Sequence, residues 1–164
     1  MKYFNKEKVE VRGSLSHGSD CSIDINVIFE GKVLLGNNVT IESNCIIKDS
    51  EIGSNTIIKP FSLIEKSIIN ESCNVGPYAN LRKGSKIDNG TSIGNFVEIK
   101  ESRIGKNCRI NHLSFIGDSI LEENVTIGAS TITCNHNGNE FKKIIIRKNS
   151  YIGSGTKLIA PLEV

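Results

Sequence analysis

The sequence predicts an all-β fold, a parallel β-helix built as a solenoid of hexapeptide repeats. An aliphatic residue returns every six residues, with a few steps shortened to five. Glycine often follows that residue directly, and a small residue or valine stands two positions before the next one. Tryptophan is absent and only 5% of residues are aromatic, so the core must be aliphatic. The aliphatic positions are Leu35, Ile41, Ile47, Ile52, Ile58, Ile64, Ile69, Val75, Leu81, Ile87, Ile93, Ile99, Ile104, Ile110, Ile116, Leu121, Ile127, Ile146, Ile152, Leu158 and Val164.

Each hexapeptide of this pattern predicts one short strand and one turn, and three of them predict a triangular coil. The aliphatic and small residues point inward, whereas glycine and asparagine occupy turns because they tolerate positive φ. One hexapeptide cannot bury its apolar face alone, so coils must stack at about 4.8 Å, as strands do in any sheet. The hexapeptide pattern, rather than the physics of the sequence, leads us to expect the left-handed form.

Two segments depart from the repeat. Residues 1–22 fit it poorly and are predicted to be an N-terminal lead-in or cap, with the β-helix domain spanning 23–164. The segment TCNHNGNEFKKII predicts one inserted loop near 133–145, because the coil that opens at Leu121 runs for about 25 residues before Ile146 opens the next. Loops inserted on one face of a solenoid often form its binding face.

Composition narrows the class of protein. The net charge is +2 without a basic block, so we expect no nucleic-acid or membrane partner. No run of some 18 apolar residues occurs, and MKYFNKEKVEVRG lacks the apolar core of a signal peptide. We therefore expect a soluble, cytoplasmic protein. The five scattered cysteines are expected to be small core residues in a reducing compartment.

Arg82 and Lys100 form the first candidate site. Each directly follows an aliphatic residue, and Leu81 and Ile99 lie 18 residues apart, so the two cations are predicted to be neighbours in adjacent coils. Two interpretations remain open on geometry alone. The cations are solvated and splayed apart, or they bind a phosphate or carboxylate, for which paired arginine and lysine are suited.

His112 is the second candidate. It is predicted to stack between Asn95 and Ala129, with Glu98 and Phe115 sharing the column around the corner. A lone histidine is commonly structural, but this one lies near the cation pair and one coil before the loop. Those neighbours favour a general base, with Glu98 as the carboxylate that orients it.

A metal site is not expected. Ligands must converge at close range, and no second histidine is near His112 in sequence, although His136 in the loop could fold back.

Five segments are more specific than the repeat itself. The segments NVGPYANLRKG, GNFVEIK, NHLSFIGDS, NVTIGASTITCNHNG and SYIGSGTKLIAPLEV resemble the C-terminal acetyltransferase domain of the bifunctional bacterial N-acetylglucosamine-1-phosphate uridyltransferase/glucosamine-1-phosphate acetyltransferase. Further upstream, VRGSLSHGSDCSIDINVIFEG resembles that family's entry into its β-helix. The resemblance covers nearly the whole chain.

The resemblance implies acetyl transfer from acetyl-CoA to the amine of glucosamine-1-phosphate, within UDP-N-acetylglucosamine synthesis for the cell wall, and without a metal. It also implies a homotrimer with active sites between subunits. By the matching motifs, His112 is the catalytic base, and Arg82 and Lys100 bind the sugar phosphate.

The resemblance assigns three further positions. It places Asn135 at the sugar and the acetyl group, and Ala129 and Ser154 at acetyl-CoA.

Four substrate-contacting positions depart from the family pattern. Phe115 stands where the family has tyrosine, Thr126 where it has asparagine, and His136 where it has tyrosine. Glu140 replaces a loop lysine, and either Lys142 or Lys143 is a candidate to substitute for it, because the loop spacing also shifts by one residue.

The family also continues beyond the match at both ends. We expect no uridyltransferase domain in this chain, because its glycine-rich nucleotide loop is absent, and the β-helix is expected to be shorter at its C-terminus than the family's. Two alternatives therefore stay open: a catalytically silent trimerisation scaffold, and a hexapeptide acyltransferase with a different acceptor.

Overall fold

A computed structural model describes residues 1–164, and β-strands dominate it. Besides one short 3₁₀-helix at Lys6–Lys8, it contains 25 strands. The strands are β1 (Lys2–Tyr3), β2 (Val9–His17), β3 (Ser22–Ile23), β4 (Val27–Leu35), β5 (Thr40–Ile41), β6 (Ile46–Lys48), β7 (Glu51–Ile52), β8 (Ile57–Ile58), β9 (Leu63–Glu65), β10 (Ile68–Ile69), β11 (Asn74–Val75), β12 (Asn80–Leu81), β13 (Lys86–Ile87), β14 (Ser92–Asn95), β15 (Glu98–Lys100), β16 (Arg103–Ile104), β17 (Arg109–His112), β18 (Phe115–Gly117), β19 (Ser119–Leu121), β20 (Thr126–Ile127), β21 (Ile132–Cys134), β22 (Ile144–Ile146), β23 (Tyr151–Ile152), β24 (Lys157–Ile159) and β25 (Leu162–Glu163).

All strand pairs in the sheets are parallel, and from β5 onward each strand pairs with the strand three places later in the chain, one coil further along the solenoid. Nine strands, from β1 through β3 and β5 to β23, form the first face. The other sixteen form the second and third faces, joined through the long strand β4. We call the face that carries β12, β15, β18 and β21 the second face. The predicted parallel β-helix of hexapeptide repeats is confirmed. The structure contains no helix with the length and hydrophobicity needed to cross a bilayer.

The core is one aliphatic column inside the triangular coils. The inward positions form a single cluster of 33 buried hydrophobic residues that runs the length of the solenoid. Four of the five cysteines fill small inward positions, as predicted, but Cys134 is half-buried on the outside. Thr133 takes the inward position of that coil and is only 2% exposed, so the neighbouring residue must point outward.

The three corners of each coil are marked by residues with positive φ. Asparagine or aspartate often fills them, as at Asn38 and Asn55, where short polar side chains bear that conformation at low cost. At the corner between the first and second faces, three aromatic residues take these positions instead: Phe61, Tyr78 and Phe96. Their rings stack along the solenoid axis, with centroids 5.0 and 5.1 Å apart.

The first 22 residues make a partial coil beneath the repeats. β1 pairs with β3, and all nine residues of β2 pair with β4. The lower edge of β2 is mostly exposed and polar, with Arg12 bound to Glu10 at 2.7 Å. Charged side chains of this kind discourage edge-to-edge association.

The inserted loop lies within the predicted segment 133–145. Thr133 and Ile144 are buried within β21 and β22, so the residues that leave the coil are 135–143. An antiparallel bridge between His136 and Phe141 closes this loop on itself. Its two ends rejoin the solenoid in register, because β22 pairs with β19.

Candidate functional site

His112 lies at the end of β17, where the chain leaves the first face. It is exposed, and its Nδ1 lies 2.9 Å from Oδ1 of Asn95, the residue directly below it in β14. Both side chains line an open groove of about 340 Å³ on the first face. Gly94 belongs to the same groove, and a Cβ there would overlap the carbonyl oxygen of Asn111. This close approach requires glycine and leaves the groove beside the imidazole open.

Glu98 does not orient His112, contrary to the prediction. Its carboxylate accepts a hydrogen bond from Arg82 at 2.7 Å. The chain turns at Phe96, which has a φ of 53°, so Glu98 lies beyond the corner on the second face. Asn95, before the corner, is the residue within reach of the imidazole.

Arg82 and Lys100 are close neighbours, because β12 and β15 pair with Leu81 opposite Ile99. Each cation has its own carboxylate: Arg82 pairs with Glu98, and Lys100 lies 3.6 Å from Asp118. These pairs relieve the repulsion between the two cations. The Arg82–Glu98 pair is exposed to water, so exchanging its carboxylate for a ligand anion costs little, whereas the Lys100–Asp118 pair is mostly buried.

The loop folds over Lys100. The ring of Phe141 lies 4.4 Å from the Lys100 ammonium and also packs against His136, with centroids 4.7 Å apart. Lys142, a candidate to replace the missing loop lysine, binds Glu140 of the same loop at 2.7 Å. No cluster of three or more potential metal ligands is present around His136 or elsewhere.

Asn135 anchors the base of the loop. Its Nδ2 donates to the carbonyl oxygens of Lys142 at 3.0 Å and Asp118 at 3.4 Å. Its Oδ1 is buried without a hydrogen-bond partner, facing the space beside Gly117 and the Phe115 ring. An unpaired buried oxygen costs free energy, so a ligand that donates a hydrogen bond here would be favoured.

The positions assigned to acetyl-CoA share the His112 column. Strands β17, β20 and β23 pair in register, so Ala129 and Ser154 lie one and two coils above His112. Thr126 lies on the first face, between Arg109 and Tyr151 of the neighbouring strands.

The candidate residues therefore fall into two groups at opposite edges of the second face. His112, Ala129 and Ser154 lie at the edge shared with the first face. Arg82, Lys100 and Asn135 lie at the other edge. His112 lies before the corner that precedes β18, whereas Gly117, the residue paired with Lys100, is the last residue of that strand. One chain does not bring the base and the cations into contact.

Comparison with known proteins shows the family to which the chain belongs. The chain is 50% identical over 157 residues to the bifunctional protein GlmU of Baumannia cicadellinicola subsp. Homalodisca coagulata, covering 96% of this chain and 34% of that protein. It is 44% identical to the bifunctional protein GlmU of Chromobacterium violaceum, with the same coverage.

The chain is a homologue of the C-terminal part of GlmU. It spans about a third of the length of these GlmU proteins. The family resemblance predicted from the motifs is thereby confirmed. Residues 11–86 also match the family model of the GMPPB C-terminal domain. Among solved structures, a hexapeptide transferase family protein from Anaplasma phagocytophilum aligns at 17% identity over 93% of this chain and 78% of that one, with a TM-score of 0.38.

Within this GlmU homologue, three residues around the site escaped sequence reasoning. Asn95 was placed beside His112 but given no role, although the 17-residue register already aligned the two side chains. Asp118 and Phe141 contact Lys100 from the next corner and from the loop. No sequence signal fixes the fold of a nine-residue loop, so Phe141 could not have been identified beforehand.

Proposed function

We propose that the chain transfers the acetyl group of acetyl-CoA to the amine of glucosamine-1-phosphate, forming N-acetylglucosamine-1-phosphate for UDP-N-acetylglucosamine synthesis. The observation that carries the proposal is His112, exposed in an open groove of a chain homologous to the C-terminal part of GlmU. Because acetyl-CoA is an intracellular metabolite, the reaction would take place in the cytoplasm.

The chemistry requires a base and an anion site. An amine attacks a thioester only once its lone pair is free, so His112 accepts the proton that nitrogen loses as the C–N bond forms. The C–S bond then breaks, and His112 returns the proton to the departing sulfur, so that CoA leaves as the thiol. The N–H of Ala129, which donates to no other group of the chain, can donate to the carbonyl oxygen as negative charge develops there. Arg82 and Lys100 hold the phosphate by exchanging their carboxylate partners for it.

The same proposal includes a homotrimer. A complete site needs the His112 edge of one chain against the Lys100 edge of another, because one chain separates them by the width of a face. The shared corner carries an exposed apolar column of four residues, namely Phe61, Tyr78, Phe96 and Leu113, which we call the aromatic column. Bulky residues at positive φ are strained, and exposed aromatic surface of this kind marks protein interfaces.

A different acceptor is the second candidate function. Phe115 presents no hydroxyl, and Glu140 pairs with Lys142, so Lys143 alone is left to give the loop a net positive charge for a phosphate. These features favour an acyltransferase acting on a less highly charged amine. A catalytically silent scaffold has no such observation in its favour.

The decisive experiment measures thiol release from acetyl-CoA by the purified chain with glucosamine-1-phosphate. We expect release that is lost in His112→Ala and kept in His17→Ala, since His17 lies in β2, far along the solenoid from the groove. A panel of other amines tests the second candidate. Absence of release with every amine, from a protein shown to be trimeric, would refute the enzyme and leave the scaffold.

A further inference from the structure

We propose that Asn95 is the positioning residue for His112, holding the imidazole proton on Nδ1 so that Nε2 is the atom that accepts the proton of the acceptor amine. The inference rests on the proposed function, in which His112 is the general base. It concerns a residue to which neither the sequence motifs nor the family resemblance gave a role.

The backbone is built to bring these two side chains together. In the nine-stranded first face, β14 and β17 are four residues long, whereas every other strand has two residues. The two extra residues of each strand end at Asn95 in β14 and His112 in β17. These two residues pair with each other and so continue the parallel ladder to the edge of the groove. Gly94 allows the extension, because any side chain there would collide with Asn111.

Hydrogen-bond chemistry then fixes the tautomer. The amide oxygen of Asn95, 2.9 Å from Nδ1 of His112, can only accept a hydrogen bond, so that nitrogen must donate. Neutral imidazole carries one N–H, which leaves Nε2 with its lone pair. The carboxylate of Glu98 accepts a hydrogen bond from Arg82 instead. Asn95 is therefore the group that selects the tautomer and the ring orientation.

Nuclear magnetic resonance of ¹⁵N-labelled protein, recorded at alkaline pH, tests the tautomer without requiring activity. The chain has three histidines, so loss of one set of ring signals in His112→Ala identifies the residue. We expect the proton on Nδ1 in the native chain and in Asn95→Asp, whose carboxylate also accepts. We expect Nε2 protonation in Asn95→Ala, as for imidazole in water.

Kinetics supplies the second readout. In Asn95→Ala, kcat for acetyl transfer should fall about tenfold or more, within the roughly 10²–10⁴-fold that general-base catalysis contributes, with the acceptor KM unchanged. Asn95→Asp should restore most of the rate. Asn74→Ala is the matched control, since Asn74 is an exposed residue of the same face that makes no side-chain hydrogen bond.

Two results would overturn the inference: an unchanged tautomer in Asn95→Ala, or a kcat equal to that of the Asn74→Ala control. If the native chain transfers no acetyl group at all, the proposed function fails by itself. A tautomer that shifts from Nδ1 to Nε2 in Asn95→Ala would still support the placement of Asn95.

Discussion

The ammonium of Lys100 lies over the ring of Phe141, 4.4 Å from its centre. The carboxylate of Asp118 lies 3.6 Å from the same ammonium. The lysine proposed to bind phosphate thus contacts both a loop residue and a coil residue. Its contact with Phe141 helps to hold the loop against the solenoid. Cation–π contacts of this type are worth about 0.5–2 kcal/mol, depending on exposure.

Removing the Phe141 ring should weaken acceptor binding. We expect Phe141→Leu to raise the acceptor KM about 2- to 10-fold with little change in kcat, because the ring positions Lys100 but does not touch reacting atoms. Steady-state kinetics with varied acceptor would measure it. Phe4→Leu is the matched control, since Lys2 lies over that ring at 5.7 Å far from the site. Equal KM values in the two variants would contradict this role.

The aromatic column should hold the proposed trimer together. Replacing Phe61 and Phe96 with serine removes apolar surface from two exposed corner positions without emptying the core. We expect the double variant to run as a monomer of 17.9 kDa by light scattering. Phe4→Ser, at a residue 72% exposed outside the column, should leave the assembly unchanged. A double variant that keeps the native mass would show that the subunits meet elsewhere.

Two adjacent isoleucines, one in the core and one on the surface, allow the effect of burial to be measured. Ile69 points inward and is 1% exposed, whereas Ile68 points outward and is 39% exposed. We expect Ile69→Ala to lower the free energy of unfolding by about 2–5 kcal/mol, because it leaves a cavity between coils. Ile68→Ala should cost less than about 1 kcal/mol. Urea denaturation of both variants measures the difference, and similar losses would contradict the inward alternation.

Alkaline pH should destabilise the folded chain through Cys45. Burial raises the pKa of its thiol from 9.0 to about 11. The unfolded chain therefore loses this proton first. The contribution of Cys45 to stability is complete below pH 9 and is lost as the pH rises to about 11, with a slope of at most about 1.4 kcal/mol per pH unit.

Cys45→Ala provides the control for that titration. The variant should be less stable at neutral pH, yet its unfolding free energy should fall less steeply between pH 9 and 11. Burial also raises the pKa values of Cys73 and Cys108, so some slope will remain. Identical slopes in the two proteins would mean that Cys45 ionises equally readily in the folded and unfolded chains.

The sequence predicts the coils well because their physics is local and repeated. A six-residue period specifies which side chains point inward, and Ile99 and Ile116, which stand at these positions, are fully buried. The same register predicts that Arg82 neighbours Lys100 and that Asn95 lies beneath His112.

The site itself was less predictable, because corners and loops do not follow the period. Glu98 was expected to reach His112, but the turn at Phe96 puts the two side chains on different faces. The loop is narrower than the predicted segment 133–145, since Thr133 and Ile144 stand at inward positions of the repeat and are buried. Phe141 contacts Lys100 because of the way the loop folds, and the sequence of the loop does not predict that fold.

The loop leaves the solenoid and returns without disturbing it. Strand β22 pairs with β19 as if nothing had been inserted, with Ile146 opposite Leu121. In repeat proteins each coil is stabilised mainly by its immediate neighbours. Mutations and changes of length within residues 135–143 should therefore have little effect on the stability of the solenoid. Selection for substrate preference and selection for a stable chain act on separate residues, so the protein can acquire a new acceptor while its framework stays constant.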